Sequence, residues 1–300
     1  MSRAQVAPPI AGMTGERPVV HTASAAKAVR RVLGLAGIGA ATIFALAFAL
    51  LPIFWAIVTA FKLPVDVNAM PPKWIFTPTL ANFEIVIGEW QLSHFFRSSL
   101  IVATLAAVLS LVIGTPAAYA LLRFPFRYKQ TLVLEILSVR MVPPIVAVIP
   151  IFVISQALGL YDTYTILILM YVAFNLPFVI WVMRAYLADI PIELEDAALV
   201  DGATRLQAFL RVVLPLARPG IATCLILVFV FCWNEFLFAN ILVSGEHRTV
   251  PTVVASAIKQ RAVLWGPASA AALLAIVPIV ILALLVRRHI VRGLTLGALK

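Results

Sequence analysis

Six long apolar stretches limit the fold of this chain more than any other feature of its sequence. Each is about 20 residues or longer, and a helix of that length, rising about 1.5 Å per residue, crosses a hydrocarbon core about 30 Å thick. The six predicted spans are residues 32–61, 99–122, 131–157, 164–183, 219–243 and 267–286.

The composition also indicates a membrane protein. Hydrophobic residues make up 63% of the chain, charged residues make up 12%, and the mean hydropathy is +1.04, values outside the usual range of soluble domains. Strands of a membrane barrel would appear as short alternating segments, whereas these runs of Leu, Val, Ile and Ala are continuous. We therefore predict an all-α polytopic membrane protein with six transmembrane helices.

Positive charges are distributed unequally between the two sides of these spans. Sixteen of the 23 Lys and Arg residues fall on the two tails and the even-numbered connections, and six fall on the opposite connections. Because positively charged loops stay in the cytoplasm, both termini are predicted to be cytoplasmic. This placement accounts for the net charge of +10, so nucleic acid is not predicted as a partner.

The predicted organisation has three parts: a cytoplasmic tail at 1–30, one transmembrane domain at 31–290 and a cytoplasmic tail at 291–300. The first apolar run is too long for the core of a signal peptide, so the first helix is expected to remain uncleaved. The four histidines are scattered without metal-ligand spacing, and no metal site is predicted.

The cytoplasmic connection 184–218 has the clearest internal pattern. Residues 189–193 contain a proline and two acidic side chains, which suit the first turn of a helix, and Gly202 suits the end of that helix. Thr204 and Gln207 then have the spacing of a capping box, followed by apolar residues at helical spacing. The connection is therefore predicted to fold as helix, glycine turn and helix.

This connection resembles that of the permease subunits of ATP-binding-cassette importers. Their signature is Glu-Ala-Ala, three residues, Gly, nine residues, Ile, any residue and Leu-Pro. The matching residues here are Asp196, Ala197, Ala198, Gly202, Val212, Leu214 and Pro215. Asp in place of Glu and Val in place of Ile are both conservative differences.

The resemblance implies that the loop Asp189–Pro215 contains a coupling helix. In this family the coupling helix fits a groove on a cytoplasmic ATPase and transmits its opening and closing to the membrane helices. The residues that the resemblance assigns to ATPase coupling are Glu195, Asp196, Ala197, Ala198, Asp201, Gly202, Leu214 and Pro215.

Four further patterns are similar to the carbohydrate-uptake branch of the family, in particular the second permease of maltose transporters. They are Gly-Thr-Pro-Ala-Ala-Tyr-Ala at 114–120, Arg-Met-Val-Pro-Pro at 140–144, Trp-Asn-Glu-Phe at 233–236 and Gly-Leu-Thr-Leu-Gly-Ala-Leu-Lys at 293–300. The resemblance implies a type I importer transmembrane domain in the bacterial inner membrane. It also implies a carbohydrate or polyol cargo, with glycerol phosphate as the alternative.

The partners implied by the resemblance are a second permease subunit, an ATPase dimer and a periplasmic or lipid-anchored solute-binding protein, all working in membrane lipid. The chain lacks a Gly-rich Walker loop, so ATP and Mg are expected on the ATPase. The chain itself is predicted to bind no cofactor and not to be an enzyme.

Four polar residues within the predicted spans are candidates for the substrate path: Arg140, Asn175, Asn234 and Glu235. Such groups are costly in lipid and normally face a bundle interior or an aqueous cavity. They can equally serve as hydrogen bonds between helices, and the sequence leaves both roles open.

Two other function classes compete with the importer permease. A secondary transporter would need its own coupling-ion site and usually more spans, and the loop signature favours the importer. A membrane-embedded enzyme would need a catalytic set, and no Ser/His/Asp or paired-carboxylate pattern is visible.

The charge distribution leads to a topology prediction. Tags at both termini and within 184–218 should be cytoplasmic, and a tag within 244–266 should be periplasmic, because Lys and Arg are concentrated on the first set. Protease treatment of intact spheroplasts measures this, and cleavage of a tag in 184–218 from outside would contradict the topology.

Overall fold

The computed structural model of the protein describes residues 22–257 and 263–297. The helices, in chain order, are α1 (Thr22–Ala60), α2 (Pro64–Val67), α3 (Ala81–Glu84), α4 (Leu92–Arg123), α5 (Lys129–Val139), α6 (Pro144–Ala157), α7 (Tyr164–Ala188), α8 (Glu193–Val200), α9 (Arg205–Ala208), α10 (Leu214–Leu216), α11 (Arg218–Trp233), α12 (Leu237–Leu242), α13 (Val250–Ala255) and α14 (Trp265–Gly297). Two π-helical segments lie at Ile85–Glu89 and Phe209–Val213, and a 3-10 turn lies at Gly245–His247.

Four helices within the described ranges are each long and apolar enough to cross a membrane: α1, α4, α7 and α14. They coincide with the first, second, fourth and sixth predicted spans. Helix α1 begins at Thr22, inside the segment predicted as a tail, and α14 continues to Gly297. Residues 1–21 and 298–300 of the predicted tails lie outside the described residues.

The third predicted span is not one straight helix. Helices α5 and α6 meet at 85°, and the break between them is at residues 140–143. Pro143 and Pro144 lack the backbone N–H that a continuous helix needs, which accounts for the break. The predicted span at 131–157 is therefore a bent pair of helices.

The fifth predicted span is also interrupted. Helix α11 ends at Trp233, and residues 234–236 separate it from α12. At its other end α11 meets the helical segment 205–216 at an angle of 74°. If each bent pair of helices counts as one span, the part of the chain that the structure describes has six spans, as predicted.

The main core lies where α4 packs against α7 and α11. Helix α4 presents a small residue at every fourth position, namely Ala106, Ser110, Gly114 and Ala118, and all four are buried. Small side chains let helix backbones approach closely, which strengthens packing where lipid provides no hydrophobic driving force between helices. The approach is tightest at Gly114, where a β-carbon would lie 2.5 Å from Cγ1 of Val179.

A second core packs the far end of α4 against α13 and the beginning of α14. Its polar centre is the buried Asn82, whose Nδ2 donates to the carbonyl oxygens of Ala60 at 2.8 Å and Lys62 at 2.7 Å. A β-carbon at Gly266 would lie 2.5 Å from the Asn82 Oδ1, so this glycine lets α14 reach the amide. The contact fixes the connection between α1 and α4.

We expect Gly114→Ala to destabilise the protein by about 1–3 kcal/mol, because the methyl group overpacks the α4–α7 contact and the β-branched Val179 has little rotamer freedom to yield. The measurement is the thermal midpoint of the purified protein in detergent. Gly37→Ala in α1 is the matched control, since no described atom lies within 4 Å of its β-carbon position. Equal midpoints for the two variants would contradict the close packing.

Candidate functional site

The connection 184–218 folds as predicted into helix, glycine turn and helix. Helix α8 ends at Val200, and Gly202, two residues later, has a φ of +87°. The Gly202 N–H donates to the Leu199 carbonyl at 3.1 Å, and the Ala203 N–H donates to the Ala198 carbonyl at 3.0 Å. This pair of bonds is a Schellman motif, which requires a left-handed residue and so favours glycine.

The capping box of the second loop helix is also confirmed. The Gln207 N–H donates to Thr204 Oγ1 at 3.3 Å, and the Thr204 N–H donates to Gln207 Oε1 at 2.9 Å. Helix α9 then continues into the π-helical segment Phe209–Val213, whose first and last residues are buried. Each loop helix therefore has one hydrogen-bonded end: α8 is followed by the Schellman motif, and α9 begins with the capping box.

The side chain of Glu195, on α8, points into the protein and holds this helix in place. Its side chain is fully buried, and its Oε1 lies 2.6 Å from Nε of Arg123 at the end of α4. Its Oε2 accepts a hydrogen bond from the Tyr119 hydroxyl at 2.8 Å. Arg123 also donates to the Ile190 carbonyl at 2.8 Å. We call Arg123, Tyr119 and Glu195 the loop anchor.

The predicted coupling set divides by burial. Glu195 is buried among residues of its own chain, so its side chain positions the loop and is not on the loop surface. Of the other members, Asp196, Ala197, Asp201 and Gly202 are exposed, and Ala198, Leu214 and Pro215 are half-buried. Their contact with an ATPase stays a prediction.

The loop anchor also contacts the second helical part of the loop, at the start of the π-helical segment. The rings of Tyr119 and Phe209 lie 4.7 Å apart, so the end of α4 contacts both helical parts of the loop. Sequence reasoning counted Arg123 only as a topological charge. The available signal was an additional acidic residue, Glu195, immediately before the Asp196 of the signature.

An apolar surface lies on the outer side of the loop. Its most exposed members are Val200 and Leu206, which are 87% and 65% exposed, and Leu194 and Leu210 are also exposed. The sequence grouped Leu206 and Leu210 with Phe209 and Val213 in one apolar stripe, but the first two are exposed and the last two are buried. Exposed apolar patches of this kind mark sites of contact with another protein or with a membrane.

All four candidate path residues make hydrogen bonds within the protein, and Asn175 and Glu235 are the two that are not exposed. Asn175 Nδ2 donates to the Tyr171 carbonyl at 2.8 Å and lies 3.4 Å from the Cys232 sulfur. Glu235 accepts from the Tyr171 hydroxyl at 2.9 Å and from the Phe238 N–H at 2.9 Å, so it caps the start of α12. These bonds join α7 to α11 and α12, which supports the helix-joining role for Asn175 and Glu235.

The other two candidates, Arg140 and Asn234, are exposed beside the two breaks. The Arg140 guanidinium carbon lies 5.0 Å from the Phe178 ring and 5.3 Å from the Phe231 ring, which gives its charge two cation–π partners. Asn234 Nδ2 donates to the Val230 carbonyl within its own helix. Contact of either residue with cargo stays a prediction.

Replacing Arg123 should release the loop from α4. Arg123→Met leaves the Glu195 carboxylate buried without its counter-charge, a loss that costs about 3–5 kcal/mol for a buried pair. Hydrogen exchange of the intact protein should then show faster exchange across α8. Lys73→Met is the control, because its ion pair with Asp66 is partly exposed and worth about 0–1 kcal/mol. Unchanged protection of α8 in Arg123→Met would show that the ion pair does not hold the loop.

Comparison with known proteins agrees with this geometry. The family model described as the inner membrane component of binding-protein-dependent transport systems matches residues 110–296. The trehalose transport system permease protein SugB of Mycobacterium tuberculosis is 37% identical over 260 residues, which cover 84% of this chain and 93% of that protein. The trehalose/maltose transport system permease protein MalG of Thermococcus litoralis is 34% identical over 263 residues, covering 84% and 91%.

A solved structure has the same fold. It is the crystal structure of a bacterial ABC transporter involved in the import of the acidic polysaccharide alginate, with a TM-score of 0.71 and 23% identity over 86% of this chain and 96% of that chain. The apolar helices and the family match indicate a multi-pass inner-membrane protein. The chain therefore belongs to the family of inner membrane components of binding-protein-dependent transport systems.

Proposed function

We propose that this chain is the permease subunit of an ATP-binding-cassette importer that moves a carbohydrate or polyol across the bacterial inner membrane. The observation that carries the proposal is the loop 184–218, where an exposed apolar surface sits on a short helix that the loop anchor ties to a spanning helix. Family membership supports the same role.

In this mechanism the ATPase covers the exposed side of α8 and moves it when the nucleotide sites close. The movement reaches α4 through the Arg123–Glu195 ion pair and the Tyr119–Phe209 contact, which together leave little freedom between loop and helix. Because Gly114 packs tightly on Val179, α7 moves with α4. Transmission of this kind requires a contiguous packed network with two arrangements.

The breaks at residues 140–143 and 234–236 are the places where such a movement changes the transmembrane path. Interrupted helices expose backbone groups that are tolerated at membrane depth only next to protein or a water-filled cavity. Arg140 and Asn234 lie at these breaks on exposed surfaces, so they are the better candidates for contact with cargo. Asn175 and Glu235 would act indirectly, by keeping α7, α11 and α12 together.

The partners in this proposal are a second permease subunit, an ATPase dimer and a periplasmic or lipid-anchored solute-binding protein. ATP and Mg bind to the ATPase, and this chain supplies no catalytic group. The names of the relatives, which transport trehalose and maltose, favour a carbohydrate cargo. Glycerol phosphate remains the alternative cargo, and a family model for binding-protein-dependent systems disfavours a secondary transporter.

Charged substitutions on the outer side of the loop test the proposal. Val200→Asp places a charge on the apolar surface, and Gly202→Asp adds a β-carbon at φ +87°, a strain of about 1 kcal/mol, together with a charge. Both should leave the spans inserted but reduce ATPase stimulation by loaded solute-binding protein at least about tenfold, since 1.4 kcal/mol of lost docking energy has that effect.

The measurement is substrate-stimulated ATP hydrolysis by the reconstituted complex at matched protein levels. Arg205→Ala is the control, because Arg205 is exposed and its removal adds no charge to the apolar surface. Normal stimulation in both aspartate variants would rule out the coupling role of the loop. Ion-gradient-driven uptake by this chain alone would instead indicate secondary transport.

A further inference from the structure

A cavity of about 300 Å³ lies at the end of the protein opposite the coupling loop. Helix α7 has 25 residues and is therefore about 37 Å long, and it separates the turn at 158–163 from the loop that follows Ala188. The cavity opens beside this turn. The side chains that matter for its chemistry are Tyr161, Phe236, Asn240, Ser244, Arg248 and Ser256.

Asp162 fixes the shape of this cavity. Its carboxylate accepts from the Ser244 N–H at 2.7 Å and from the Ser244 hydroxyl at 3.1 Å, and its own N–H donates to the Leu242 carbonyl at 3.0 Å. Burial raises the pKa of Asp162, but the hydrogen bonds from Ser244 and the neighbouring His247 outweigh it and bring the pKa below its usual value of 3.8. The carboxylate is thus ionised at neutral pH and joins the turn at 158–163 to Ser244.

The polar groups of the lining are available to a ligand. The side chains of Asn240 and Arg248 are exposed and make no hydrogen bond to any residue in the ranges that the structure describes. The amide offers two donors and an acceptor, and the guanidinium offers five donors. Ligand sites typically combine aromatic walls with a few such convergent groups.

The aromatic groups give this cavity a second kind of surface. Tyr161 and Phe236 each line it with a ring, and Phe236 is 40% exposed. An aromatic ring is an apolar body that packs against the C–H face of a sugar, while amide and hydroxyl groups bond to the sugar's edge. The volume is at the lower end of the range of about 300–1,000 Å³ for small-molecule sites, which suits one or two sugar rings rather than a polymer.

Arg248 is the charged residue among those that line the cavity. A guanidinium pairs with a carboxylate through two parallel hydrogen bonds, which neutral hydroxyl groups cannot match in strength. The carboxylate of Asp162 contacts Ser244 and His247 and makes no ion pair with Arg248. The site therefore selects a ligand with one negative group.

We propose that this cavity is an entry site for a sugar ring that carries a carboxylate, with Arg248 binding the acid, Asn240 binding hydroxyl groups and Phe236 packing against the ring. The inference rests on the proposed importer function and narrows its cargo to acidic sugars. It assigns to this chain a recognition step outside the membrane path.

The test uses the assembled importer in lipid nanodiscs without solute-binding protein or nucleotide. Saturation-transfer NMR measures binding of D-glucuronate and of methyl glucoside as the neutral probe. We expect D-glucuronate to bind about tenfold more tightly than the glucoside. Arg248→Gln should remove that preference, because it takes away the charge and keeps a hydrogen-bonding side chain, and Phe236→Ala should weaken both probes.

Arg127→Gln is the matched control, since Arg127 is an exposed arginine between α4 and α5, and this variant should keep the preference. Equal binding of the two sugars to the wild-type complex would overturn the inference. A glucuronate preference that survives in Arg248→Gln would also overturn it. Weaker solute-binding-protein association in Arg248→Gln with unchanged sugar binding would mark the cavity as a docking surface and overturn it as well.

ATPase stimulation, measured after ATP, Mg and loaded solute-binding protein are added to the same nanodiscs, separates this inference from the proposed function. Normal stimulation without any Arg248-dependent glucuronate preference contradicts the entry site alone. Arg248-dependent binding without stimulation supports the entry site and contradicts the importer mechanism alone.

Discussion

The buried ion pair between Arg123 and Glu195 is the interaction on which the functional geometry of this protein depends. A fully buried carboxylate is tolerated only when its charge and its lone pairs are satisfied, and here the guanidinium and the Tyr119 hydroxyl satisfy them. The same two bonds restrict movement, because α8 cannot shift relative to α4 without breaking them. A loop that lies outside the apolar spans is thereby bonded to the spanning helix α4.

Close packing between α4 and α7 extends the contact of the loop to a second spanning helix. A helix with small residues at every fourth position approaches its neighbour closely, and at Gly114 the contact with Val179 leaves no room for a β-carbon. Helices α4 and α7 are therefore held in close contact, whereas the third and fifth spans are interrupted. Rigid contact in one place and interruption in another is the combination that a two-state transporter needs.

The two ends of α7 carry different chemistry for related reasons. At the loop end, a buried carboxylate is paired with a cation and positions an apolar surface for another protein. At the opposite end, the Asp162 carboxylate is bonded to Ser244 and leaves Arg248 available to a ligand. In both places a hydrogen-bonded carboxylate holds a loop in position, and the exposed side chains beside it are the ones proposed to contact a partner or a ligand.

The sequence by itself determined the membrane-spanning class, the approximate spans, the loop signature, and the turn at Gly202 with its capping box, because each depends on residues in one continuous segment of the chain. Only the tertiary structure decided how sharply the third and fifth spans bend and that Glu195 faces inward. Arg123 and Glu195 are 72 positions apart, and no local pattern states which distant cation a carboxylate will meet. That choice is made when α4 and α8 pack, since burial of either charge is favourable only in the presence of the other.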